Sequence, residues 1–171
     1  SQLVDDAAKI PRRIAPVARL VPVKGVDKVI RAVAIVAASV PGCQLDVIGD
    51  GPELASLRDL ARSLKVDVRF HGAVPHAAVF RALAEADVFV LPSYQEGIPM
   101  AMLEAMATGM PVIGTPVGGV PEILTDGVGG CVVAPGDVTA LARTMARRAQ
   151  EPGTRERLGR DARAVAERFD S

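Results

Sequence analysis

Two acids eight residues apart bound the stretch Glu96-Gly-Ile-Pro-Met-Ala-Met-Leu-Glu104, a turn that runs into an Ala- and Met-rich helix. The apolar run Asp87-Val-Phe-Val-Leu-Pro-Ser93 precedes it, so a buried strand opens onto a helix start with a carboxylate standing in between. Helix N-termini present unpaired N–H groups and partial positive charge, which attract anions. Glu96 in that place is either a helix-start stabiliser, worth about 0.3–1 kcal/mol, or a polar group kept for a ligand. Two cations, Arg19 and Lys24, stand far upstream after the first apolar run. Arginine offers a planar fork matched to phosphate oxygens and lysine a point charge. An arbitrary pair of this kind is most often two solvated loop cations. Glu104 lies among Met100, Leu103 and Ala107, with Met102, Met106 and Met110 nearly completing the apolar ring. A helix apolar all round is buried, and a buried acid needs a partner. Ribose hydroxyls would serve, at about 1–3 kcal/mol per charge-assisted bond.

The elements that must position these residues alternate strictly. Ile14–Ala18, Leu45–Ile48, Val66–Phe70, Val88–Leu91, Val112–Gly114 and Cys131–Val133 read as strands. Val26–Ser39, Glu53–Leu64, Ala77–Glu85, Met100–Thr108, Val120–Leu124 and Val138–Gln150 read as helices, with Arg155–Phe169 extending the last. Strands this apolar are covered on both faces, as in a parallel sheet. The pattern predicts an α/β domain, a Rossmann-like doubly wound parallel sheet of about six strands with helices on both faces, in the order 3-2-1-4-5-6. Ligands of such sheets bind beyond the carboxyl ends of strands 1 and 4, where the order reverses. Arg19 and Lys24 leave strand 1, and Glu96 leaves strand 4. The topology therefore brings two cations, a carboxylate and a helix start to one crevice, suited to an anionic ligand bearing hydroxyls.

Composition narrows the choices. The 171 residues suffice for one domain, and 20 basic against 20 acidic side chains leave no net charge to draw nucleic acid or membrane. Four Phe, one Tyr and no Trp argue against a base-stacking platform. Cys43 and Cys131 are far apart, form no CxxC pair and follow no signal-like segment, so they read as reduced thiols of a cytoplasmic protein. No apolar run approaches the roughly 20 residues of a spanning helix. No His/Cys/Asp cluster has metal-ligand spacing, and no metal is expected. His71 is expected as a packed or capping residue and His76 as a surface one, while Glu122 is explained equally by a first-turn helix position. The eight arginines of Arg143–Arg168 read as a solvated helical face, with adherence to anionic lipid a minor option.

Taken in order, Arg19-x4-Lys24-Gly25, Gly49-Asp-Gly-Pro52, Phe70-His-Gly72 and Pro92-Ser93-x2-Glu96-Gly97-x6-Glu104-Ala-Met-Ala-x-Gly109-x-Pro111-Val112 resemble the C-terminal, donor-binding domain of GT-B retaining glycosyltransferases of family 4. The likeness runs from about residue 12 to Phe169, and the Glu-Gly-Ile-Pro variant resembles exopolysaccharide and lipopolysaccharide members. It implies that Arg19 and Lys24 bind the diphosphate of a UDP-, GDP- or ADP-sugar, that Glu104 holds the ribose, and that Glu96 lies by the donor sugar. It also implies that main-chain groups of Gly97 and Ile98 reach sugar or phosphate, and that loops at Gly51 and Val74 border the base. Pro99 stands where glycine is frequent and removes one N–H from the helix start, and Ala18 likewise replaces a frequent glycine. The chain is expected to form a single nucleotide-sugar-binding domain (1–171, with 1–11 a leader or linker), its acceptor domain preceding Ser1 and a cross-over helix following Ser171. No cofactor beyond the donor is implied, and peripheral attachment of the full-length enzyme at the inner membrane face is an option. A sugar-nucleotide epimerase domain, or a binding module without catalysis, are the alternatives.

Overall fold

The computed structural model describes residues 13–15, 18–75, 77–79, 81, 86–150 and 152–169. Its strands are β1 (Arg13–Ala15), β2 (Gln44–Ile48), β3 (Val68–Gly72), β4 (Val88–Leu91), β5 (Val112–Gly114) and β6 (Gly130–Val132). The helices are α1 (Val26–Val36), α2 (Leu54–Leu64), α3 (Met100–Ala107), α4 (Val120–Ile123), α5 (Val138–Gln150) and α6 (Pro152–Arg168), and a 3-10 turn covers Pro22–Lys24. The strands line up as β3-β2-β1-β4-β5-β6, every neighbouring pair parallel, with Ile14 opposite both Leu45 and Val88. This is the expected order, and the reversal falls between β1 and β4. The expected helix Ala77–Glu85 is helical at 77–79 and 81 and otherwise lies outside the described residues, as do residues 1–11 and His76.

The pleat explains why the strands read as unbroken apolar runs. In β4, Val88 and Val90 point to a core shared with Val29, Ile30 and Val33 of α1 and Leu141 and Met145 of α5. Phe89 and Leu91 point to the opposite core, built with Met102 and Met106 of α3 and Ala162 and Val165 of α6. Each residue of β4 is thus covered by one helix layer or the other, and no position in it is left for a polar side chain.

Besides shifts of one to three residues at the ends of other elements, two elements differ from expectation. Strand β3 starts two residues late and runs through His71 and Gly72. Lys65 adopts the left-handed conformation (φ 57°) after α2, and the Val66 N–H closes the helix on the Ala61 carbonyl at 3.0 Å. Val66 is thus spent on the helix end rather than on the sheet. The second difference is α3, which is not buried all round. Met102, Ala105 and Met106 enter the core, whereas Met100 is 58% exposed and Ala107 faces outward. The Met100–Leu103–Ala107 stripe lines an open groove of about 430 Å³ with Ala166 and Phe169 at the end of α6. Cys43 and Cys131 are buried and are joined to no disulfide among the described residues, and burial, with Asp87 adding to it, pushes the Cys43 thiol up to about 11.

Candidate functional site

The site begins with two loops that leave adjacent strands at their carboxyl ends. The β1–α1 connection carries Arg19 and Lys24, and the β4–α3 connection carries Ser93 and Glu96. They are stitched together by the backbone. The Tyr94 N–H donates to the Val23 carbonyl at 2.7 Å, and Gly25, at φ 65°, lies so close to Pro92 that an added Cβ would stand 2.5 Å from its carbonyl oxygen. A side chain there would be strained by the dihedral and blocked by the neighbouring loop.

Across this seam Lys24 Nζ donates to Glu96 Oε1 at 2.8 Å. The Glu96 side chain is 7% exposed and that of Lys24 25% exposed, so the pair sits where solvent screens it incompletely. Ser93 Oγ donates to the same carboxylate oxygen at 2.7 Å. Glu96 is therefore no uncompensated acid at a helix start; a cation 72 residues away and a buried hydroxyl hold it in place. Hydrogen bonds to charged groups contribute about 1.5–3 kcal/mol each, net of exchange with water.

The turn beyond Glu96 is clamped from a third direction. Gly118, after β5, has φ 55°, and a Cβ on it would overlap the Glu96 carbonyl oxygen. The Gly119 N–H donates to the Gly97 carbonyl at 2.9 Å. Gly97 itself faces open space, with nothing within 4 Å of an added Cβ, and Ile98 is 75% exposed. Among the described residues the Gly97 and Ile98 N–H groups find no acceptor, whereas the Met100 N–H is taken by the Ile98 carbonyl at 2.9 Å. The helix entry offers two amides to an anion even though Pro99 has none to give.

Arg19 is exposed and lines a shallow pocket of about 320 Å³ with Ala18, Gly49, Asp50, Ala73 and Val74. Val74 is on the pocket wall and Gly51 is not. Its Cα rests against the Leu20 carbonyl, with room for no Cβ (2.6 Å), so it sets the loop's path while Gly49 and Asp50 provide the surface. Glu104 is half-buried on α3 and lines the α3–α6 groove beside Arg163 and Glu167. His71 is not packed as expected: it is exposed on the edge strand β3, with Nε2 2.8 Å from Asp46 Oδ1 of β2. Among the described residues no group of three His, Cys, Asp or Glu is gathered tightly enough to hold a metal ion. Among the described residues no helix is long and apolar enough to cross a membrane.

Ser93, Thr115 and the Gly118-Gly119 pair are the site residues that sequence reasoning gave no role. Ser93 had one usable signal, its place three residues before Glu96 at the end of a buried strand. Thr115 had none.

A doubly wound parallel sheet with charged loops meeting at its order reversal defines a Rossmann-like α/β domain of GT-B fold. The chain belongs to the family of glycosyl transferases group 1, whose sequence profile matches residues 6–165. It is 36% identical over 161 residues to a GDP-mannose-dependent monoacylated alpha-(1-6)-phosphatidylinositol monomannoside mannosyltransferase of Corynebacterium glutamicum, covering 90% of this chain and 42% of that protein. It is 38% identical over 154 residues to the amylovoran biosynthesis glycosyltransferase AmsK of Erwinia amylovora, covering 85% of this chain and 38% of the relative. The chain thus spans about two fifths of the length of these curated relatives. Among solved structures, Anabaena HepE in complex with UDP superposes with a TM-score of 0.85 at 24% identity, over 98% of this chain and 46% of that one. A further structure of HepE holds UDP-glucose.

Proposed function

We propose that this chain is the donor-binding half of a retaining, metal-independent family 4 glycosyltransferase that moves a sugar from a nucleoside diphosphate to an acceptor in glycan or polysaccharide assembly. The observation that carries the reading is the Lys24–Glu96 pairing at 2.8 Å across the sheet's reversal, next to the open amides of Gly97 and Ile98. Arg19 and Lys24 bind the diphosphate. As the bond from the anomeric carbon to the β-phosphate oxygen breaks, negative charge grows on the diphosphate, and these cations with the two amides stabilise it. Lysine has three donor hydrogens, so Lys24 can serve a phosphate while keeping Glu96. Glu96 orients the sugar, and Glu104 takes the ribose. The base lies along the pocket of Arg19, Gly49 and Val74.

The acceptor is held by a domain outside this chain, so the chain alone binds nucleotide without transferring sugar. The full-length enzyme works in the cytoplasm, with peripheral attachment at the inner membrane face as an option. Support for glycan assembly comes from the name of AmsK.

The test is Glu96→Gln in the full-length protein, read by transfer and by calorimetry with UDP, GDP and ADP. Loss of transfer with nucleotide affinity retained is the expected result. Unchanged transfer would remove Glu96 from the mechanism, and a wild-type protein that binds none of the three nucleotides, alone or as their sugars, would end the reading. Nucleotide-sugar consumption that yields an epimer instead of a glycoside would turn it toward an epimerase.

A further inference from the structure

We propose that Ser93, braced by Thr115, is a positioning residue that decides which oxygen of Glu96 faces the donor sugar. This rests on the reading of Glu96 as the sugar-facing acid. Ser93 is fully buried just past β4, and its Oγ donates to Glu96 Oε1 at 2.7 Å. Lys24 Nζ donates to that same oxygen at 2.8 Å. Among the described residues no hydrogen bond reaches Oε2. A carboxylate can accept about four hydrogen bonds, two on each oxygen. Loading both protein donors onto Oε1 restrains the rotamer and leaves Oε2 with its full accepting capacity.

A serine three residues before a glutamate can fix that side chain only if its own backbone is fixed. Thr115 supplies this. It lies one residue past β5, is buried, and donates from Oγ1 to the Ser93 carbonyl at 2.6 Å. The hydroxyl ties the exit of β5 to the exit of β4, and Ser93 passes that constraint to Glu96. The Glu96 main chain is held separately, where Gly118 packs on its carbonyl and Gly119 bonds to that of Gly97. Backbone and carboxylate are thus located by different contacts. Removing the Ser93 hydroxyl frees the carboxylate while leaving the turn where it is.

Crystal structures of the wild type, Ser93→Ala, Ser93→Cys and Thr115→Val test the first half of this. Cysteine keeps the shape but is a weak donor. In Ser93→Ala and Ser93→Cys the Glu96 carboxylate should occupy more than one rotamer while the backbone of residues 94–99 is unmoved, and Thr115→Val should do the same to a smaller extent. Calorimetry with UDP, UDP-glucose, GDP and GDP-mannose tests the second half. The nucleoside diphosphate Kd should stay within about twofold, while the extra affinity from the sugar should fall about fivefold, the scale of one hydrogen bond. A single unchanged Glu96 rotamer in Ser93→Ala overturns the proposal. So does a Ser93→Cys protein that behaves as wild type, or an equal loss for nucleotide and nucleotide sugar. If Ser93→Ala does not fold, Ser93→Cys and Thr115→Val decide by the same measures. Should the wild type bind no nucleotide, the donor reading fails and the sugar-facing role of Oε2 falls with it. The rotamers would then still report whether Ser93 braces Glu96.

Discussion

Glu96 and Glu104 are eight residues apart, but the molecule holds them by different means. Glu96 sits in a turn whose course is decided by three loops from distant parts of the chain, with Lys24 and Ser93 on one carboxylate oxygen and Gly118 against its carbonyl. Glu104 sits on the outward side of α3, and its place follows from the helix phase once Met102, Ala105 and Met106 are sunk in the core. The first position is a product of topology, the second of periodicity. A site built from both can be damaged in two separable ways.

The largest expected effect tests the phase of α3. Met106→Ala should cost about 3 kcal/mol of stability, whereas Met100→Ala on the same helix should cost less than about 0.5 kcal/mol. Urea midpoints check this, and equal losses would mean that the groove-facing stripe is misassigned. Next comes the clamp on the first region. Gly118→Ala should cost about 2–3 kcal/mol through strain at φ 55° and overlap with the Glu96 carbonyl, while Gly97→Ala, with open space before it, should stay within about 0.5 kcal/mol. On the proposed donor site the two variants also differ in binding, since Gly97→Ala would crowd the donor and not the protein. In calorimetry, Arg19→Ala should weaken UDP or GDP binding by about 1.5–3 kcal/mol without changing the unfolding midpoint. Equal binding by the variant would remove Arg19 from the phosphate site.

The smallest effect at neutral pH lies far from both regions. The Cys43 thiol is raised from its ordinary value of 9.0 to about 11 by burial and by Asp87. Because the folded value is the higher one, the stability it confers is complete below pH 9.0 and is lost as pH rises from there through about 11. Alkaline unfolding of Cys43→Ser should therefore show a shallower decline across that window, and alkylation at pH 8 should require unfolding.

Much of this was legible in the residues themselves. Apolar runs covered on both faces specify a parallel sheet, and the reversal between β1 and β4 tells which loops meet, so Lys24 and Glu96 could be placed in one crevice from the string alone. What could not be read was that they meet each other. The exposed stripe on α3 was invisible for a related reason, since methionine and leucine suit a groove as well as a core. Val66 looked like strand because its type is right, and only the left-handed Lys65 shows that the helix claims it. Ser93 and Thr115 were hidden by their chemistry, because a hydroxyl can bond almost any neighbour and its type does not name which.

The crowding around the Glu96 turn separates what can vary from what cannot. Gly25 and Gly118 come so near the neighbouring main chain that neither tolerates a side chain, while Ile98, two residues past the acid, extends into open solvent. Exchanges at Ile98 can reshape the rim of the crevice and leave the clasp around the acid untouched, so a lineage can retune its contacts there without rebuilding the close-packed frame beneath.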